Sequence, residues 1–136
     1  MTSLDPSTRG RRIDLPWKKP PLSMNDRDAH WAVKARKIAE VRETACWLVR
    51  AEKLGRHDRV RIELHYQPRT AHGRDSDNLA ATYKPLVDGA VTDAGLAPDD
   101  TDVHVERGWP VIHPPVKGEP GSMWLVIEVL DETEVA

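Results

Sequence analysis

The chain has 136 residues, 39% hydrophobic and 31% charged, an ordinary balance for one globular domain with a core of its own. A lone cysteine, Cys46, excludes an internal disulfide and any multi-cysteine zinc site. No apolar run is long enough to span a bilayer, the longest lying around MWLV, and the N-terminal MTSLDPSTRGRR lacks an apolar signal core. A cytoplasmic protein with no membrane partner is therefore expected. The net charge of -2 hides an asymmetry. Residues 1–69 hold 16 of the 20 Lys and Arg but only 9 of the 22 Asp and Glu, so a basic half precedes an acidic one. Such a division suits a phosphate-tracking surface beside a cation-binding pocket, or simply charges clustered on solvated faces.

Residues 1–10 read as a disordered tail, and residues 11–131 as the folded domain. In RRIDLPW, Ile13, Leu15 and Trp17 alternate as in a half-buried strand. KKPPLSMNDRD is a loop, because Pro20 and Pro21 cannot continue a strand, and Asp26 or Asp28 can cap the next element. A long helix is predicted from about Ala29 to Lys53, with Ala35, Ile38, Ala39, Cys46 and Val49 near helical spacing and Gly55 ending it. RVRIELHYQP is a strand with Val60, Ile62, Leu64 and Tyr66 on one side and Arg61, Glu63 and His65 on the other. RTAHGR is a basic loop. A second helix is predicted from about Ser76 to Ala94, with Leu79, Tyr83, Leu86, Val87, Ala90 and Val91 as its apolar face and Gly95 closing it. LAPDDTD is an acidic turn, and VHVERGW a strand with Val103 and Val105 inward. PVIHPPVKGEPG is a connecting loop. SMWLVIEVL is apolar on both faces, as a central strand is, or one that lies under a partner. The order β-α-β-α-β-β indicates a single small α/β domain with a mixed sheet and two main helices.

The stretch GRDSDN sets Asp75 and Asp77 two residues apart at the start of the second helix. Free N–H groups and the helix dipole stabilise a carboxylate there, which explains one aspartate better than two. A further acidic cluster, Asp99, Asp100 and Asp102, follows the helix. Asp77, Lys84 and Asp88 fall on one stripe; Lys84 and Asp88 form either an exposed i,i+4 ion pair or part of a site that meets phosphate. Oxygen-only acids suit Mg²⁺ or Mn²⁺ rather than zinc, and such ions activate water for phosphate hydrolysis. The six histidines show no metal-ligand spacing and read as surface or loop residues, His72 lying near the acids. No Gly-rich phosphate loop occurs, so no nucleotide cofactor is expected.

The ordered set RDSDN, KPLVDG, AG and PDD, with the N-terminal LPWKKPPLSMNDR, resembles the RusA-type Holliday junction resolvases. These endodeoxyribonucleases are often carried by phages and prophages, and the resemblance covers roughly residues 13 to 130. It implies a RusA-like fold, a bacterial host cell, a homodimer, and Mg²⁺-dependent nicking of four-way DNA junctions in recombination and repair. Carried over by position, the metal-binding acids are Asp75, Asp77 and Asp100, and the catalytic lysine is Lys84. Asn78, Asp88 and Asp99 stand beside them. The segment from Asn78 to Lys84 is longer than the family pattern; each added residue turns a helix by about 100°. Basic residues of the first helix and the loops, namely Arg36, Arg42, Lys53, Arg69, Arg74 and Lys117, are the candidates for DNA contact. Two rival readings are a non-catalytic DNA-junction-binding protein and an RNase H-like nuclease using Asp14.

Overall fold

The structure is a computed structural model that describes residues 10–22, 31–71 and 75–130, residues 75–78 by backbone only. The N-terminal tail, the caps at Asp26 and Asp28, His72 and Arg74 lie outside the described residues.

The chain forms one α/β domain in which a mixed five-stranded sheet carries two helices on one face. The strands are β1 (Arg11–Leu15), β2 (Val60–Gln67), β3 (Val105–Arg107), β4 (Val111–Ile112) and β5 (Ser122–Val129). The helices are α1 (Trp31–Ala51) and α2 (Asp75–Val87), and α2 runs on into a π-helical turn, Asp88–Asp93. The strand order is β1-β5-β2-β3, with β4 also on β2. β5 is antiparallel to both neighbours, and β3 and β4 run parallel to β2 along its far edge. The apolar SMWLVIEVL run is thus the central strand.

Period-two alternation decides which side chains meet the helices. Val60, Ile62, Leu64 and Tyr66 of β2 register with Val129, Ile127, Leu125 and Met123 of β5, and Ile13 and Leu15 of β1 with Leu125 and Met123. All of these but Val129 are buried. Against them pack Val41, Ala45 and Val49 of α1, Leu79, Leu86 and Val87 of α2, and Ala90 and Val91 of the π turn. Cys46 is buried. The predicted face of α1 shifts. Ala35 and Ala39 are exposed, and Val41 and Ala45 take the core positions. The helix stops at Ala51, where Lys53 (φ 55°) and Gly55 (φ 80°) turn the backbone into the left-handed region.

The second helix departs from the prediction at its C-terminal half. Pro85 has no N–H for the carbonyl one turn back. The chain then widens, with Ala94 N–H bonding Gly89 O at 3.0 Å and Leu96 N–H bonding Val91 O at 3.0 Å. Gly89 lies here against α1: a Cβ on it would stand 2.1 Å from the backbone oxygen of Arg42. Arg42 clamps the same turn through two bonds to the Asp93 carboxylate, at 2.9 and 2.8 Å. That ion pair holds the Asp93 carboxyl below the usual carboxylate range.

Two assignments need correction. Val103, expected inward, is 72% exposed, because the acidic turn extends through His104: Thr101 O accepts from the N–H groups of both His104 and Val105. His65, expected at the surface, is buried. Among the described residues its sheet face carries no helix, but Trp124 of β5 and His113 beyond β4 cover it, with ring centroids 5.4 and 5.1 Å away. His65 Nε2 meets Glu63 Oε1 at 3.0 Å, and its Nδ1 meets His113 Nε2 at 2.9 Å. The Arg12 guanidinium lies 4.0 Å over the Trp124 ring. Trp124, on the outer face of β5, is therefore covered within the chain by its own neighbours.

Candidate active site

The acidic turn folds back onto the helix-bearing side of the sheet edge. Asp99 shapes that turn: its Oδ1 accepts from Thr101 N–H at 2.9 Å and from Thr101 Oγ1 at 2.6 Å. These two bonds, foremost that from the Thr101 hydroxyl, hold the Asp99 carboxyl below its ordinary range. With Asp99 occupied as the cap, Asp100 faces α2. Lys84 Nζ lies 3.0 Å from Asp88 Oδ1 and 3.6 Å from Asp100 Oδ2. From the other side Arg107 Nη2 reaches Asp100 Oδ2 at 3.2 Å and Asp100 O at 3.0 Å.

Arg107 is on this side because of register. It pairs with Ile62, a core position of β2, so both point to the helix face, while Glu106 pairs with Arg61 on the opposite face. The result is a cluster of two carboxylates and two cations. A hydrogen bond involving Asp88 holds the Asp100 carboxyl below the usual range; burial opposes this, and Lys84 and Arg107 add to it. Asp88 and Asp100 are the better-screened members, with side chains 18% and 27% exposed, whereas Lys84 is 63% exposed. The lysine is thus an ion-pair partner with its flank open to an incoming anion.

The edge beside this cluster is built tightly. Tyr83, on α2, places its hydroxyl 2.8 Å from the carbonyl oxygens of both Ile62 and Gly108. Burial, with the Glu63 charge, pushes its pKa up to about 12, so it stays a neutral donor. Gly108 N–H bonds Ile62 O at 2.9 Å. A Cβ on Gly108 would lie 2.6 Å from Glu63 Cγ, so the backbone approaches β2 where a side chain would collide.

Of the predicted site residues, the structure brings together Lys84, Asp88 and Asp100, and places Asp99 beside them as the turn cap. Asp75 and Asp77 begin α2; their side chains and that of Asn78 lie outside the described residues. The backbone of residue 77 precedes that of Lys84 by about 10 Å along the helix. Among the described residues no group of three or more His, Cys, Asp and Glu is placed to hold a metal ion. Among the candidate DNA contacts, Arg36, Lys53, Arg69 and Lys117 are exposed, while Arg42 is engaged by Asp93. Arg107 is the member that sequence reasoning missed. Its only signal is strand parity with Val105, which places it on the helix side.

No protein-family model matches this chain, and no curated protein matches it significantly.

Proposed function

We propose that the protein is a Mg²⁺-dependent endodeoxyribonuclease of the RusA type that nicks four-way DNA junctions. The observation that supports this reading is the meeting of Asp100 with Lys84 and Asp88. The ordered motif DSDN…K…D…DD becomes, at least in its second half, one cluster in space.

The donor chemistry fits a hard divalent cation: carboxylate oxygens side by side, with no sulfur or imidazole among them. Asp100 would hold the metal together with Asp75 and Asp77 from the start of α2. A bound Mg²⁺ supplies a polarised water and neutralises charge on the phosphodiester. The chain's own residues do the rest. Lys84 offers its open flank to the phosphate and stabilises the charge that develops there. Asp88, one helical turn on, positions the Lys84 ammonium. Arg107 holds Asp100 in orientation through its side chain and its carbonyl.

The test is incubation with a synthetic four-way junction, with and without Mg²⁺, beside an Asp77→Asn variant. Paired symmetric nicks that need Mg²⁺ and vanish in the variant, while junction binding persists, are the expected result. Binding without cutting would establish the non-catalytic junction binder instead.

A further inference from the structure

Between β3 and β4 the sheet edge carries one residue too many. β2 pairs with β3 up to Ile62 and with β4 from His65, leaving Glu63 and Leu64 between. Opposite them stand three residues, Gly108, Trp109 and Pro110. The extra residue makes a bulge, a device that re-aims a side chain out of the ladder. Its two ends are fixed. Gly108 is held through both its N–H and its carbonyl, and His113 N–H bonds Tyr66 O at 2.8 Å just beyond β4. Pro110 further limits the backbone. On this rigid support Trp109 is 90% exposed, the most exposed of the large apolar side chains described. Trp47, also exposed, has the Arg50 guanidinium 5.7 Å over its ring. Among the described residues no ring or guanidinium lies against Trp109.

An indole held out in water forgoes a large burial area, and a backbone fixed in advance lowers the ordering cost of a later contact. The position narrows the ligand. Trp109 is two residues from Arg107, so its Cα lies within about 7 Å of the Cα of the residue whose guanidinium holds Asp100. A lysine with an open flank, close in the fold to a bare aromatic ring, matches the two halves of a nucleotide whose base has left its stack.

We propose that Trp109 is a stacking platform for an unstacked DNA base beside the Lys84–Asp100–Arg107 cluster. The inference rests on the DNA reading above and deepens it by naming what is recognised: a strand with an opened base step, rather than continuous duplex. Trp109 is a positioning residue. It holds the nucleotide so that the adjoining phosphate faces Lys84.

The test uses the full chain with Ca²⁺ in place of Mg²⁺ and a four-way junction carrying 2-aminopurine at the crossover. A continuous duplex of the same sequence is the control. Stacking predicts that Trp109→Ala weakens junction affinity by about 5- to 150-fold, the range for losing one base–aromatic stack. It also predicts loss of the 2-aminopurine response, rescue of both by Trp109→Phe, and duplex affinity unchanged. The side chain is exposed, so the variant should melt with the wild type. Equal junction affinity and equal 2-aminopurine signal in wild type and Trp109→Ala overturn the stacking role while leaving the nuclease reading intact. If wild type binds neither DNA, both fall. If Trp109→Ala instead abolishes self-association with no change per protomer in DNA affinity, the ring is a protein contact and the proposal is wrong.

Discussion

Asp99 and Asp100 are neighbours with the same side chain and different tasks. Asp99 spends its carboxylate on the turn, and Asp100 turns its own toward Lys84 and Arg107. Asp100→Asn should therefore lose far more junction cleavage than Asp99→Asn, measured as single-turnover rates under saturating Mg²⁺. Lys84→Ala should lower turnover by about 10²-fold, the scale for removing a preorganised charge stabiliser, with little change in melting temperature. It should also raise the apparent pKa of Asp100, because a cation that favours the carboxylate is gone; carbon NMR of the labelled carboxyl reads this directly. The pairing of Lys84 with Asp88 is legible from i,i+4 spacing. The arrival of Asp100 is not. A turn's direction depends on which of two adjacent aspartates caps it, and spacing says nothing of that.

At the scale of elements, long periodic segments are readable and their ends are not. β2 announces its buried side by strict alternation, and β5 its central place by being apolar on both faces. The second helix reads through to Ala94 because apolar spacing cannot distinguish an α turn from a π turn. The difference is made by Pro85 and by the close passage of Gly89 under α1. His65 misleads for a related reason: parity gives the correct sheet face but cannot show that Trp124 and His113 cover it. The Glu63–His65–His113 line has a pH consequence. Burial, then the charges of His65 and Arg12, hold the His113 pKa below its ordinary 6.5. The unfolded chain thus takes up this proton at a higher pH than the folded one. Stability from the neutral ring is complete above the ordinary value and is lost as pH falls through the lowered one. Facing the ring are His65 on β2, with Glu63 behind it, and Trp124 on β5 with Arg12 of β1 over it. Urea midpoints taken from about pH 7.5 down to about pH 5.5 should fall, and His113→Gln should flatten that slope.

For the whole molecule, the resolvase reading requires two matched active sites, and a single domain with one cluster supplies one. A C2 homodimer would supply the second and relate the two cuts by the same symmetry. Sedimentation at micromolar protein should show twice the monomer mass; a strict monomer that still makes paired nicks would contradict this. DNA affinity should fall steeply with salt. Arg36→Ala should weaken it, while Arg42→Ala should act mainly on stability, because Arg42 is clamped to Asp93.

The place of β5 also governs how the chain can assemble. β1 and β2 do not pair with each other; each pairs with β5, which follows every other described strand in the chain. Arg11 waits for Ile127, and Val60 for Val129. During synthesis β1 and both helices therefore emerge with only the β2-β3-β4 part of the sheet to lie on, and the core closes only when β5 slots between β1 and β2. Such long-range closure is slow, because the loop entropy is lost before the contacts that offset it form. A fragment ending at residue 121 should show no cooperative melting by circular dichroism, and the full chain should refold more slowly than a helical protein of its length. Until β5 arrives, β1 and the β5-facing edge of β2 lie open together, which makes the half-made chain, rather than the finished one, the form most prone to aggregate.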